Sequence, residues 1–231
     1  MARDPPCYNG LMELDIRNTN KPDETAEFVA SIILEKLSSG KKALFFATGG
    51  SSISVCAKIS EILKGKSCGN LTVMLTDERY VPSGHPDSNF FQLKAKGFDI
   101  PGAKIIPVLE GGSIEETAEK FAVHLEKELK NADYRIGIFG IGPDGHTAGI
   151  LPGSPAASSE GLASFYKTPA FLRITMAPRA IEKLDQAVVF MQGEEKREAL
   201  ENLKKEIEIA KQPAQILKKV PLLTIFTNCA L

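Results

Sequence analysis

The sequence predicts an α/β fold built on a largely parallel sheet with helices on both faces, and three observations predict it. Apolar runs of strand length alternate along the chain with stretches of helical period. Several of those runs end in glycine-rich turns, as in ALFFATGG and RIGIFGIG, where a strand hands the chain to the next layer. With 231 residues, 43% of them hydrophobic, the chain can bury one sizeable core. One domain over residues 1–231 is the expectation.

After a polar entry segment, KPDETAEFVASIILEKL sets Phe28, Val29, Ile32, Ile33 and Leu37 on one face at helical spacing, with Pro22 near its start. KKALFFATGG is a strand running into glycine, and SSISVCAKISEILKG resumes a helical rhythm through Ile53, Cys56, Ile59 and Leu63. LTVMLTDER reads as a strand, DSNFFQLKAKG as a helix and KIIPV as a strand. SIEETAEKFAVHLEKELK is a helix opened by a capping box, Ser113 with Glu116. RIGIFGIG, RITMA and AVVFMQG are strands; EEKREALENLKKEIEIA is a helix with Leu200, Leu203 and Ile207 inward; LLTIFTN closes the chain as a strand. ASSEGLASFYKTP (157–169) reads as a polar insertion over the surface, a possible piece of a lid.

Composition narrows the partners. The 28 basic and 29 acidic residues nearly cancel, so no broad positive field points to nucleic acid or an anionic membrane. No apolar run approaches the roughly 18 residues of a membrane span, and MARDPPCYNG lacks a signal peptide's apolar centre. Cys7, Cys56, Cys68 and Cys229 form no C-x-x-C pair, which reads as reduced thiols in a cytoplasmic protein. No two histidines stand at i, i+4 and no Cys/His cluster appears, so no metal is expected.

In an open parallel sheet, ligands gather at the carboxyl ends of the strands. Three such ends carry polar residues that packing does not require. At ATGGSSISV, Gly49 and Gly50 let the backbone approach a ligand while Ser51 and Ser52 open a helix whose free N–H groups suit an anion, although an ordinary serine-capped turn uses the same residues. The lysine of a Walker loop is missing. At LTDERYVPSGHPDSNF, Asp77, Glu78 and Arg79 crowd a strand end; a solvated ion pair would explain them, but Arg79 keeps its charge at any working pH and suits an anion or oxyanion.

The third end, GIFGIGPDGHTAGILPG, spaces Gly140, Gly142 and Gly145 as a dinucleotide-binding loop does. Asp144 would repel a pyrophosphate there, and no strand with a ribose-binding acid follows at about 20 residues. His146, with an ordinary imidazole pKa near 6.5, suits proton transfer at neutral pH instead. His85 lies in a polar loop and His124 on a helix flank, so neither is given that role. Lys196 places a cation in a helix's first turn against the dipole, a cost that a bound anion would offset. Arg173 heads the RITMA strand as a further cation.

Taken in order, GGSS, TDERYVP…HPDSNF, GIGPDGHTAGILPG, RIT and GEEKREAL resemble the glucosamine-6-phosphate isomerase/6-phosphogluconolactonase family over about residues 25–231. The resemblance implies a Rossmann-like three-layer α/β sandwich that acts on a sugar-phosphate lactone without metal or nucleotide, hydrolysing 6-phosphoglucono-1,5-lactone in the oxidative pentose phosphate pathway. By motif match, Gly49, Gly50, Ser51, Arg173 and Lys196 hold the phosphate; His146 and Arg79 serve the lactone, with Asp144 and Asp77 as accompanying acids. A monomer or homodimer is expected.

Two departures are visible: the family's GGST followed by proline is GGSSISV here, and a Thr- and Pro-containing stretch after RIT is MAPRAI. The deaminase branch carries Asp-Glu-Tyr at the second strand end and Asn-Glu-Pro after the histidine turn; here Arg79 replaces the tyrosine and GILPG lacks the Asn-Glu acid. A non-catalytic sugar-phosphate sensor is a further alternative. With only about 20 residues before the first helix and near-neutral charge, the chain shows no DNA-binding module.

Overall fold

Ala43–Ala47 and Gln186–Met191 are buried at every position. A parallel sheet covered on both faces has no solvent side, so its strands read as nearly unbroken apolar runs. The computed structural model describes residues 14–229. Cys7 and the amino-terminal segment lie outside the described residues.

The elements are β1 (Asp15–Asn18), α1 (Pro22–Ser38), β2 (Ala43–Ala47), α2 (Ile53–Leu63), β3 (Leu71–Leu75), β4 (Asp77–Arg79), α3 (Asn89–Ala95), β5 (Lys104–Ile105), α4 (Ile114–Asn131) and β6 (Tyr134–Phe139). After these come β7 (Ala163–Lys167), β8 (Leu172–Met176), α5 (Pro178–Ile181), β9 (Gln186–Met191), α6 (Arg197–Leu203) and β10 (Leu222–Thr227). Seven strands form a parallel sheet in the order β1-β10-β9-β6-β2-β3-β5. Helices cover both sides, which gives the α/β architecture expected. From β2 the chain winds outward to β3 and β5; from β6 it winds the other way to β9 and β10. The order therefore reverses between β2 and β6, the position at which such sheets open a crevice.

The helices follow their periodicity. α1 buries Val29 and Ile33, and α2 buries Cys56, Ile59 and Leu63. Ser113 caps α4 by accepting from Glu116 N at 3.2 Å, while Glu116 Oε2 accepts from Ser113 N at 2.9 Å. Cys56, Cys68 and Cys229 are free and buried, and burial pushes the Cys56 thiol up to about 12. No helix among the described residues is long and apolar enough to cross a membrane.

Four expectations are corrected. LTVMLTDER is two strands: Thr76 N still donates to Ala47 O of β2 at 2.9 Å, but Thr76 O accepts from Met176 N at 2.9 Å, so the chain changes sheets at Thr76. Asp77–Arg79 then joins a separate antiparallel sheet, β4-β8-β7, and RITMA belongs there and not to the parallel sheet. The stretch 157–169 lies largely at the surface as expected but is not an irregular insertion: it contains β7, whose Tyr166 is buried and donates its hydroxyl to Gly149 O at 2.5 Å. The last helix stops at Leu203, with Leu200 and Leu203 buried as expected but Ile207 beyond its end and half-buried. The entry segment holds β1, an edge strand of mostly exposed residues that carries no apolar run to reveal it.

Candidate active site

The β2–β6 crevice holds a cavity of about 250 Å³, and three strand ends supply most of its wall. Beyond β2, the backbone turns at Gly50 with φ 63°, a left-handed value that favours glycine. Gly49 lies so close under the Asn89 amide that a Cβ there would collide with it. Ser51 is exposed and lines the cavity, whereas Ser52 is buried with its hydroxyl 3.4 Å from Phe190 O and serves packing.

The second wall comes from β4. Buried Asp77 is held by Asn89 Nδ2, which donates to its backbone O at 3.1 Å and reaches its Oδ2 at 3.3 Å. Across the strand pair, Arg173 Nη1 stands 3.7 Å from Asp77 Oδ2. Arg79 donates from Nη1 to Asp87 O at 3.0 Å and lies 4.9 Å from the centroid of the Phe171 ring, a distance at which the ring face attracts a cation. The Nε atoms of both Arg79 and Arg173 are buried without a partner, so each guanidinium keeps donor capacity unspent on the protein.

Glu78 explains how this edge is fixed. Its carboxylate accepts from Arg79 N at 2.7 Å, Ser88 Oγ at 2.9 Å, Asn89 N at 2.6 Å and Phe90 N at 2.9 Å. One buried acid thus ties β4 to the first turn of α3, where free N–H groups favour negative charge. Burial pushes the Glu78 carboxyl up, against the pull of those four hydrogen bonds.

Beyond β6, the glycine-rich turn does not open a helix. It folds back on itself, Gly142 N donating to His146 O at 3.0 Å and Gly145 N to Gly142 O at 2.9 Å. A dinucleotide-binding loop needs the helix N-terminus that is absent at this turn. The His146 ring rests on Gly142, where any Cβ would strike it. Its Nδ1 is 2.6 Å from Asp144 Oδ1, which also accepts the His146 backbone N–H at 3.1 Å. Burial raises the Asp144 carboxyl, but the His146 backbone and ring bonds outweigh it and hold the group below the usual carboxylate range. A carboxylate facing Nδ1 favours an N–H on that ring nitrogen. Ala148 adopts φ 50° at the cavity wall, an uncommon conformation for a residue with a side chain.

Lys196 completes the ring from the turn after β9 and makes no ion pair among the described residues. The predicted contact residues Gly49, Gly50, Ser51, Asp77, Arg79, His146, Arg173 and Lys196 all line this cavity. Asp144 stands behind His146, bonded to its ring and its backbone N–H. His85 and His124 lie elsewhere, the first bonded to Asp87 N at 3.2 Å, the second 3.4 Å from Glu110 Oε2. Sequence reasoning missed Asn89 and Phe171, and named Glu78 at the strand end without giving it a role. The Ser-Asn pair in DSNF was a readable signal for the first, since Ser88 is the cap of α3; Phe171 gave none.

Fold and cavity define a class: a doubly wound α/β protein with an imidazole and three cations converging at the carboxyl ends of its parallel strands. Comparison with known proteins sharpens this. Residues 19–224 match the family described as glucosamine-6-phosphate isomerases/6-phosphogluconolactonase, and the chain belongs to that family. It is 31% identical over 190 residues to a 6-phosphogluconolactonase of Neisseria meningitidis serogroup A, covering 76% of this chain and 78% of that protein. The crystal structure of a 6-phosphogluconolactonase from Shewanella baltica superposes with TM-score 0.79 at 20% identity, covering 94% of this chain and 99% of that one. A monomeric glucosamine-6-phosphate deaminase superposes almost as well, with TM-score 0.76 at 18% identity over 93% and 97% of the two chains. The fold is thus common to both activities, and the site must separate them.

Proposed function

We propose that the chain hydrolyses 6-phospho-D-glucono-1,5-lactone to 6-phospho-D-gluconate, the lactone-opening step of the oxidative pentose phosphate pathway. The observation that carries this reading is the convergence of His146, Arg79, Arg173 and Lys196 on one cavity beside the Gly50–Ser51 turn. The name of the Neisseria relative supports the same activity.

The phosphate is anchored by the Gly49–Ser51 backbone, Arg173 and Lys196, which fixes the far end of the sugar and orients the ring ester. Nε2 of neutral His146 takes a proton from water as the oxygen attacks the lactone carbonyl. Arg79 stabilises the negative charge that develops on the carbonyl oxygen. The imidazolium, held by Asp144, then returns the proton to the ring oxygen as the C–O bond breaks, giving the alcohol and a carboxylic acid, which releases its remaining proton to solvent as the carboxylate forms. Asp77 steers Arg173. In this reading one domain, working in the cytoplasm as a monomer or homodimer, carries the whole reaction.

The test is a pH-stat assay on freshly generated lactone, with spontaneous hydrolysis subtracted, run beside glucosamine 6-phosphate. Acid release from the first substrate alone supports the lactonase. Ammonia from the second would assign the chain to the deaminase branch, and binding without turnover of either would make it a sensor.

A further inference from the structure

The segment after α6 runs back beneath the histidine turn. Ala214 N donates to Gly145 O at 2.9 Å, and Gly153 N donates to Ala210 O at 2.8 Å. Between these, Gln212 is buried and spans two elements. Its stem packs on Gly145, the residue before His146, so closely that a Cβ on that glycine would stand 2.5 Å from Gln212 Cγ. Its amide reaches the other way: Nε2 donates to Ala199 O in α6 at 2.7 Å, and Oε1 accepts from Gln215 Nε2 at 2.8 Å. The same Gln215 nitrogen bonds Asn202 O at 2.9 Å, near the end of α6.

The two elements joined by Gln212 carry different parts of the site. The turn bears His146; α6 follows directly on Lys196. From this geometry we propose that Gln212 is a positioning residue that sets the register of the Lys196 helix start against the His146 turn, and so the span between phosphate anchor and base. This rests on the lactonase reading above. Gln212 touches no cavity surface, so its effect passes through Gly145 on one side and α6 on the other. A substrate bound at both ends is sensitive to that span, because small misplacement of an anchored reactant costs rate steeply.

A double-mutant cycle on the phosphorylated lactone separates this from simple structural support. Gln212→Met keeps the packing on Gly145 and deletes the amide bonds to α6. It is expected to lower kcat/KM roughly tenfold in the wild-type background. In Lys196→Ala, where the anchor that α6 carries is gone and only the Gly49–Ser51 backbone and Arg173 still hold the phosphate, the same change should alter kcat/KM by no more than about twofold. Full multiplication of the two single effects, or no effect of Gln212→Met on a folded enzyme, overturns the proposal. Thermal melts verify folding. Should the methionine variant fail to fold, Gln212→Asn, which keeps the amide but shortens the reach, is put through the same cycle with the same two outcomes. An inactive wild type would overturn the lactonase reading itself, a result distinct from multiplicative effects in an active one.

Discussion

Arg79 and Arg173 are register partners across the antiparallel β4–β8 pair, two guanidinium-bearing residues set directly opposite one another. Like charges at such positions repel. One carboxylate, Asp77, is two residues from Arg79 on the same strand and therefore on the same face, with Oδ2 3.7 Å from Arg173. Among the described residues the ion pair at this edge is that of Arg173 with Asp77, and with Arg79 and Lys196 beside it the cavity wall carries an excess of positive charge that a bound anion would offset.

An anion should therefore stabilise the fold. At a hundredfold excess over its dissociation constant, inorganic phosphate or 6-phosphogluconate is expected to add about 2.7 kcal/mol, read as a rise in Tm. Arg173→Ala should abolish most of that rise, while leaving the ligand-free Tm little changed or slightly higher.

Arg79 is held by a backbone carbonyl and an aromatic face, which together fix how its planar, multi-donor guanidinium is presented to the cavity. Arg79→Ala is expected to lower kcat by about 10²–10³-fold, as loss of an oxyanion donor does. Arg79→Lys should recover only a small part of this, although the charge is restored. Steady-state kinetics decide it, and full recovery by lysine would mean that charge alone suffices.

Gly145 combines φ 79° with the contact to Gln212. Gly145→Ala must place a side chain in a left-handed conformation, which costs roughly 1–2 kcal/mol, and also displace a buried glutamine. Urea denaturation should show a loss of at least that size, with kcat lowered because His146 is the next residue. Gly153, also left-handed at φ 67° but with open space around it, is the control: alanine there should cost stability without comparable loss of turnover.

The pH dependence of stability should carry a mark of Glu78. Burial raises its carboxyl above the ordinary 4.5, so between that value and the raised one the folded chain binds more protons than the unfolded chain. Its contribution is therefore complete at acid pH and is lost as pH rises through the window. Glu78→Gln should flatten that slope and still be less stable near neutrality by about 1–3 kcal/mol, since an amide N–H₂ cannot accept the backbone N–H bonds. Urea melts across the window measure both effects.

The sequence made the parallel sheet readable because its strands are buried on both faces and its helices keep their period; α4 even announced its cap through Ser113 and Glu116. The three strand ends were readable for a related reason: charge and glycine there interrupt the apolar pattern. What stayed hidden depends on distant partners. Asp77–Arg79 looks like the tail of β3 until β8 arrives to pair with it. β7, inside a serine-containing polar stretch, becomes a strand only against β8. α6 stops at Leu203 although the apolar period continues to Ile207, because the following segment docks through Gln212 and Ala214 under the histidine turn. Tertiary contacts override local propensity in each case.

The central claim is that the imidazole of His146, oriented by Asp144, performs the proton transfers. It is tested most directly by the rate of lactone hydrolysis by His146→Ala, after subtraction of the spontaneous rate and at substrate concentrations that saturate the wild type. Enzyme-dependent turnover is predicted to fall by about 10²–10⁴-fold while inorganic phosphate still raises the Tm of the variant. Turnover equal to that of the wild type would contradict the account.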